Sequence, residues 1–426
     1  MTEDLLHYIW RFQRYKGDLF TTDGKELEIK SAGIYNTNAG PDFFGAKIRI
    51  GDTLWAGNVE VHLHSSDWFA HKHHLDKAYD NIILHVVYEH DKPVMDKNGN
   101  AVQTLELKKY IDRELEEAYH RFIKNKDWIP CVGSIAGVDE FIVSSWLENV
   151  SFERLQTKVE DIFRKLDLYK NNWEQVFYET IARNFGFNLY AEPFEMLAKS
   201  LPLSYIAKHK NNLFQVEALL FGQAGFLEGS FKDEYPNKLK TEYDYLAKKF
   251  DLHPVDKHLW KFLRNRPNNF PTVRIAQFAF LLHKSSALLS KILECNSIAQ
   301  LQLLFDFSCS DYWKNHYTFD VLSPYASKKP GKSTINLLLI NTIVPFVFAY
   351  GKQKDDTAGI EKSMDYLDAL PAEKNFITGN FKKCGVNANN ARQSQAMIQL
   401  YKYYCSNKLC LQCSIGDQIL KPASQI

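Results

Sequence analysis

The sequence is short of charge of any one sign, of long apolar runs and of cysteine. Fifty-two basic residues stand against 51 acidic ones among 426, a net charge of +1. Such a chain carries no global field to draw in nucleic acid or a membrane surface, so any basic surface must be local. No window of about 18 apolar residues occurs. The longest candidate, Ile335 to Tyr350, is broken by Asn336, Asn341 and Pro345. The opening Met1-Thr-Glu-Asp-Leu-Leu puts two acids where a signal peptide carries basic residues. These absences predict a cytoplasmic protein without a membrane partner. Seven cysteines, an odd number with three in the last 22 residues, fit reduced thiols or a metal site better than a disulfide framework.

What is present is core-forming material: 45% hydrophobic residues, with 29 Phe and 22 Tyr, enough for two or three domains. Leu5, Leu6, Ile9, Trp10 and Phe12 have helical spacing. After Gly17 come short alternating runs, Leu27 to Lys30, Ala46 to Ile50 and Thr53 to His64, with Gly51-Asp52 as a hairpin turn. A polar, His-rich stretch (65–81), partly helical, leads to the apolar run Ile82 to Tyr88, the pattern of a buried strand. Asp96 to Asn100 reads as a turn and Val102 to Leu107 as a further strand. The expected fold is therefore an α+β or α/β domain over residues 1–130. A mostly α-helical domain follows over 131–426, ending in a cysteine motif at 384–413. Residues 266–271 form a loop after which a helix restarts, Lys328 to Lys332 is the clearest flexible connection, and no fixed-period repeat occurs.

Seven of the fourteen histidines (His62, His64, His71, His73, His74, His85 and His90) fall between residues 62 and 90. Strand alternation puts Glu60, His62 and His64 on one face, a carboxylate and two imidazoles able to hold a metal. Ser66 or Asp67 would cap a short helix. If that helix packs across the strand, His71, His73 and Asp76 lie beside the same face. His85, inside the apolar strand, reads as a hydrogen-bonded core histidine.

Asp42 follows Pro41 at the entry to the first hairpin strand, and Glu60-Val-His62 lies on the second. This order resembles the PD-(D/E)xK nuclease core, of restriction-endonuclease-like fold. The resemblance implies that Asp42 and Glu60 bind Mg²⁺ or Mn²⁺, that His62 stands where the family has lysine, and that His64 or Asp67 supports them. Glu3 of the first helix is a further candidate. Gly57 followed by His62-x-His64 also looks like the first motif of cupins, an alternative that would hold its metal through His62 and His64.

Cys405-x4-Cys410-x2-Cys413, with Cys384 as fourth ligand, could bind zinc or an iron–sulfur cluster. Cys131, Cys295 and Cys309 sit in apolar or helical text and read as structural. Lys257, Lys261, Arg264, Arg266 and Arg274, interleaved with Trp260 and Phe270, form a local basic patch suited to DNA or RNA.

Asn38-Ala-Gly-Pro-Asp-Phe43, Gly57 to Trp68, Ile83 to Val87, Glu217 to Gly225, Arg266 to Pro271 and Ser394 to Tyr401 together resemble, over nearly the full length, a bacterial domain-of-unknown-function family. That resemblance transfers no activity. Glu217, Gln223 and Arg183 read as polar anchors between helices. The leading expectation is a divalent-metal-dependent nuclease; the alternatives are an inactive nuclease-like binding module and the cupin-like metalloenzyme.

Overall fold

Thr2 accepts the Leu5 N–H at 3.3 Å, and Glu3 and Asp4 occupy the positive first turn, so the first helix, α1 (Glu3–Arg11), starts where its capping chemistry dictates. It buries Leu5, Leu6, Tyr8, Ile9 and Trp10. The computed structural model describes residues 1–263, 265–285 and 287–421, and divides the chain into two units. One comprises Met1–Trp146 with Leu400–Ile426, the other Leu147–Gln399.

In the first unit, β1 (Leu19–Phe20), β2 (Glu26–Ser31), β3 (Ile34–Tyr35), β4 (Phe43–Ile50), β5 (Thr53–His64), β6 (Ile82–Glu89) and β7 (Thr104–Glu106) make one mixed sheet. Its order is β1-β2-β4-β5-β6-β7, with β3 paired to β4. The β4–β5 hairpin is antiparallel, whereas β6 joins β5, and β7 joins β6, in parallel. A parallel pair needs a crossover. Here it contains the short helix α2 (Asp67–Ala70) and two single turns of 3₁₀ helix, His73–Leu75 and Lys77–Tyr79. At the start of the β5–β6 pair only glycine fits. A Cβ on Gly57 would stand 2.7 Å from the Asn81 carbonyl and closer still to Ile83.

The crossover changes what β5 exposes. Val59 and Val61 are fully buried, as the alternation predicts, but so are Glu60 (4% exposed) and His62 (1%). The polar face is covered rather than solvated. Ser66 and Asp67 do not cap α2: the Asp67 carboxylate accepts the His64 N–H (3.0 Å) and the Ser66 hydroxyl donates to Asp91 (2.6 Å), because the nearby strand ends offer stronger partners.

The expected boundary at 130/131 moves. The first unit runs through α3 (Arg113–Lys124) to Trp146 and takes back residues 400–426. The cause is packing. Cys410 and Leu420 belong to the same core as Leu5, Ile9, Val59 and Leu84. Asp417 accepts the Tyr8 hydroxyl at 2.6 Å and pairs with Arg14 at 3.0 Å.

Among the described residues, the named elements of the second unit are helices apart from the ribbon His316–Thr318/Val321–Leu322. The helix after the 266–271 loop starts at Pro271, with proline in the first turn where its missing N–H costs nothing. The connection at 328–332 is anchored at its start: Lys328 is 2% exposed, its ammonium lies 3.4 Å from the Tyr317 ring centroid, and its carbonyl accepts from Gln277. Lys332–Gln353 is long and apolar enough to cross a membrane, with mean hydropathy 1.6, yet 72% of its apolar window is buried inside the protein. A π-helical turn, Leu339–Ile343, interrupts it just before Pro345, which cannot donate into the helical ladder. The anchors behave as expected: Gln223 donates to the His253 carbonyl (2.5 Å) and accepts from Tyr243 (3.0 Å), and Arg183 pairs with Glu195 (2.5 Å).

Candidate metal centre

Pairing of Phe43 with Val59 brings Asp42, at the mouth of β4, alongside Glu60 on β5. The two acids interlock through the backbone. Asp42 N–H donates to Glu60 Oε2 (3.2 Å) and Val61 N–H to Asp42 Oδ2 (3.0 Å). Around them the sheet, α1 and the crossover bring imidazoles from four places. His7 of α1 puts Nε2 3.2 Å from Asp42 Oδ2. His73 Nε2 and His62 Nε2 lie 3.2 and 3.5 Å from Glu60 Oε1. His71 Nδ1 is 3.1 Å from His62 Nε2, and on the far side His85 Nε2 is 2.9 Å from His62 Nδ1.

These separations have a size. Metal–ligand bonds of about 2.0–2.1 Å in tetrahedral geometry set ligand atoms about 3.4 Å apart. Among the described residues, His62, His71 and His73 are the one trio of possible ligand atoms within 4.8 Å of one another, and Glu60 Oε1 borders two of them. The buried Nε2 atoms of His7 and His73 each face a carboxylate oxygen at 3.2 Å, Asp42 Oδ2 and Glu60 Oε1 respectively. Imidazole nitrogens and carboxylate oxygens gathered in one buried corner make a donor set suited to a cation.

Electrostatics point the same way. Burial, helped by the charges of His73, His71 and His7, pushes His62 down to about 3, so it is a neutral imidazole with a lone pair to give. His85, buried beside it, is held well below its ordinary range. Its contact with His62 Nδ1 orients the ring so that His62 Nε2 faces His71 and Glu60. Burial and the Asp42 charge raise Glu60 against the opposing His73 contact. For His7, burial works downward, but the hydrogen bond and charge of Asp42 outweigh it and raise the imidazole above its usual value. Tyr79 stacks on His73 at 3.8 Å, and burial pushes its hydroxyl up to about 12.

A family model described as protein of unknown function (DUF2851) matches residues 3–376. The chain belongs to this family. No curated protein and no solved structure matches it. The DUF2851 match contains every residue of the His/carboxylate corner and ends before Cys384.

Of the site residues expected for this DUF2851 chain, Asp42, Glu60 and His62 come together, and Glu3 lies near enough for its carboxyl to feel Asp42 and His71. His64 is at the exposed end of β5, outside the histidine trio. Asp67 turns back to the His64 backbone but also lies within reach of Glu3. His7 was missed, although its i,i+4 spacing from Glu3 was available as a signal. His85 is less a satisfied core residue than a partner of His62, its Nδ1 lacking any hydrogen bond.

The basic patch is less uniform than its sequence. Lys257, Lys261 and Arg266 are exposed. Arg274 is buried, donates to Asn269 (2.7 Å) and lies over the Phe187 ring. Trp260 is buried and donates to the Ala224 carbonyl, so it is unavailable for stacking on a base. Arg264 lies outside the described residues. Cys384 ends helix Phe376–Lys383 in the second unit, whereas Cys405, Cys410 and Cys413 are in the first, as is Cys131.

Proposed function

We propose that the His/carboxylate corner is the centre of a divalent-metal-dependent hydrolase acting on phosphodiester bonds of nucleic acid. The observation that carries this reading is the convergence of His62, His71 and His73, with Glu60 against two of them and Asp42 alongside Glu60. In support, its arrangement, a helix before a strand hairpin with Asp at the mouth of one strand and Glu on the next, resembles the order of the PD-(D/E)xK core. The imidazoles change the metal expected: a nitrogen-rich set favours Mn²⁺ or Zn²⁺ over Mg²⁺, which prefers oxygen.

The metal would supply a Lewis acid for the scissile phosphate and a water acidic enough to ionise near neutral pH. The chain's own groups do the rest. Glu60, His62, His71 and His73 would hold and orient the ion, His85 would orient the His62 ring, and His7, beside Asp42, would be placed to move a proton to or from a reacting oxygen. His7 also lines an open cleft of about 550 Å³ with Arg11 and Lys408, cations suited to the flanking phosphates.

A cupin-like site would need His64 beside His62 in an antiparallel barrel. The exposed His64 and the mixed sheet favour the nuclease-like arrangement instead. The test is cleavage of single- and double-stranded DNA and RNA with Mn²⁺, Zn²⁺ or Mg²⁺, comparing the natural chain with Asp42→Asn and Glu60→Gln. Cleavage lost in both variants supports the reading. No cleavage of any substrate by the natural chain moves it to the binding-module alternative.

A further inference from the structure

The cysteines regroup on folding. Cys405 ends a π-helical turn, Leu400–Cys405, while Cys410 opens and Cys413 follows a single 3₁₀ turn, both 8% exposed. Cys131 follows α3 in a tight turn, its carbonyl accepting the N–H groups of Ser134 and Ile135 at 2.9 Å. Residues 131 and 410 pack in the same core. The half-buried Cys405 sulfur lies within electrostatic reach of three others: Cys131, Cys413 and Cys410. None of the seven cysteines forms a disulfide.

The local fold holds the cysteine turn tightly: glycine is required at 416 because a Cβ there would run into the Cys410 carbonyl. The grouping also has a width. Four thiolates on one zinc, with bonds of about 2.3 Å, stand about 3.8 Å apart. No three of these sulfurs come within 4.8 Å of one another, since among the described residues only the histidine trio does so. A cubane cluster, in which each thiolate binds a different iron, needs its sulfurs wider apart than a single ion does.

We propose that Cys131, Cys405, Cys410 and Cys413, and not Cys384, hold an iron–sulfur cluster that fastens the C-terminal segment to the N-terminal sheet unit. The cluster stands next to the contacts of Asp417 with Tyr8 and Arg14, and so steadies α1, which carries His7. This inference does not depend on the hydrolase reading.

The test is made on the full chain purified without oxygen. Iron, acid-labile sulfide and zinc are measured per chain together with absorption near 400 nm, for the natural protein, Cys131→Ser and Cys384→Ser. The expected result is about four irons and four sulfides per chain, at least a tenfold loss in Cys131→Ser, and full retention in Cys384→Ser. Because Cys131→Ser could simply misfold, the natural chain is also alkylated under native conditions before and after oxidative removal of the cluster, and the modified cysteines are mapped by mass spectrometry. Cys131, Cys405, Cys410 and Cys413 should become reactive on removal, with Cys384 unchanged. One zinc per chain without iron or sulfide overturns the cluster. A metal-free natural chain overturns the site. Retention of iron in folded Cys131→Ser, with loss in Cys384→Ser, overturns the ligand assignment.

Discussion

Glu60 and Glu217 are both buried glutamates whose carboxyls are pushed above their ordinary range, yet they are built differently. Glu217, fully buried in the second unit, accepts the hydroxyls of Tyr235 and Ser310 (2.9 Å), and burial carries it to about 7. Its partners are neutral groups with one proton each to give, and they account for both of its oxygens. Glu60 instead faces the imidazoles of His73 and His62, at 3.2 and 3.5 Å, and these in turn gather with His71. Burial with a raised carboxyl therefore does not by itself mark a site. What separates the two is whether the neighbours satisfy the acid or converge with it on a third point.

The comparison can be broken in several ways. The largest expected effect is on His62→Ala, which removes the central imidazole: affinity for Mn²⁺, measured by calorimetry on the full chain, should fall by more than the roughly 10–100-fold typical of losing an outer partner. His85→Phe should give that smaller loss, about 10–100-fold, because His62 keeps its place but loses the contact that orients its ring. If His85→Phe binds as tightly as the natural chain, His85 is core and nothing more.

Glu217→Gln should leave metal binding untouched and instead flatten a pH dependence. Between the ordinary 4.5 and about 7, the folded chain retains a proton on Glu217 that the unfolded chain has released. Stability from this group is greatest below pH 4.5 and falls as pH rises toward 7, by up to about 1.4 kcal/mol per pH unit. Urea midpoints at pH 5 and pH 7.5 should therefore converge in the variant. An unchanged difference would mean that other groups set the slope. The smallest effect is expected from Lys257→Glu with Lys261→Glu, a few-fold weaker binding to nucleic acid with a shallower salt dependence.

The parts of the site that are local in sequence were legible there. Alternation in Thr53 to His64 and the Gly51-Asp52 turn specify the hairpin that pairs Asp42 with Glu60, and the apolar run at 82–88 specifies the next strand. That Glu60 and His62 would be buried was not legible, because covering them depends on how a polar, His-rich crossover packs across the strand. His7 enters from a separate helix, and Cys131 meets Cys405 only after the whole second unit intervenes in sequence. No periodicity encodes such meetings. The apolar face of residues 400–420, which decides that the C-terminus returns to the first core, is too short and irregular to announce its partner.

The most direct test of the central claim is electron spin-echo spectroscopy of Mn²⁺ added to the full chain. Mn²⁺ suits it because thiolates bind it poorly and imidazole and carboxylate bind it well. The account predicts one tight site per chain with imidazole nitrogen couplings, lost in Glu60→Gln and His62→Ala and kept in Glu217→Gln. Absence of a tight site, or a bound ion coupled to no nitrogen, would contradict it.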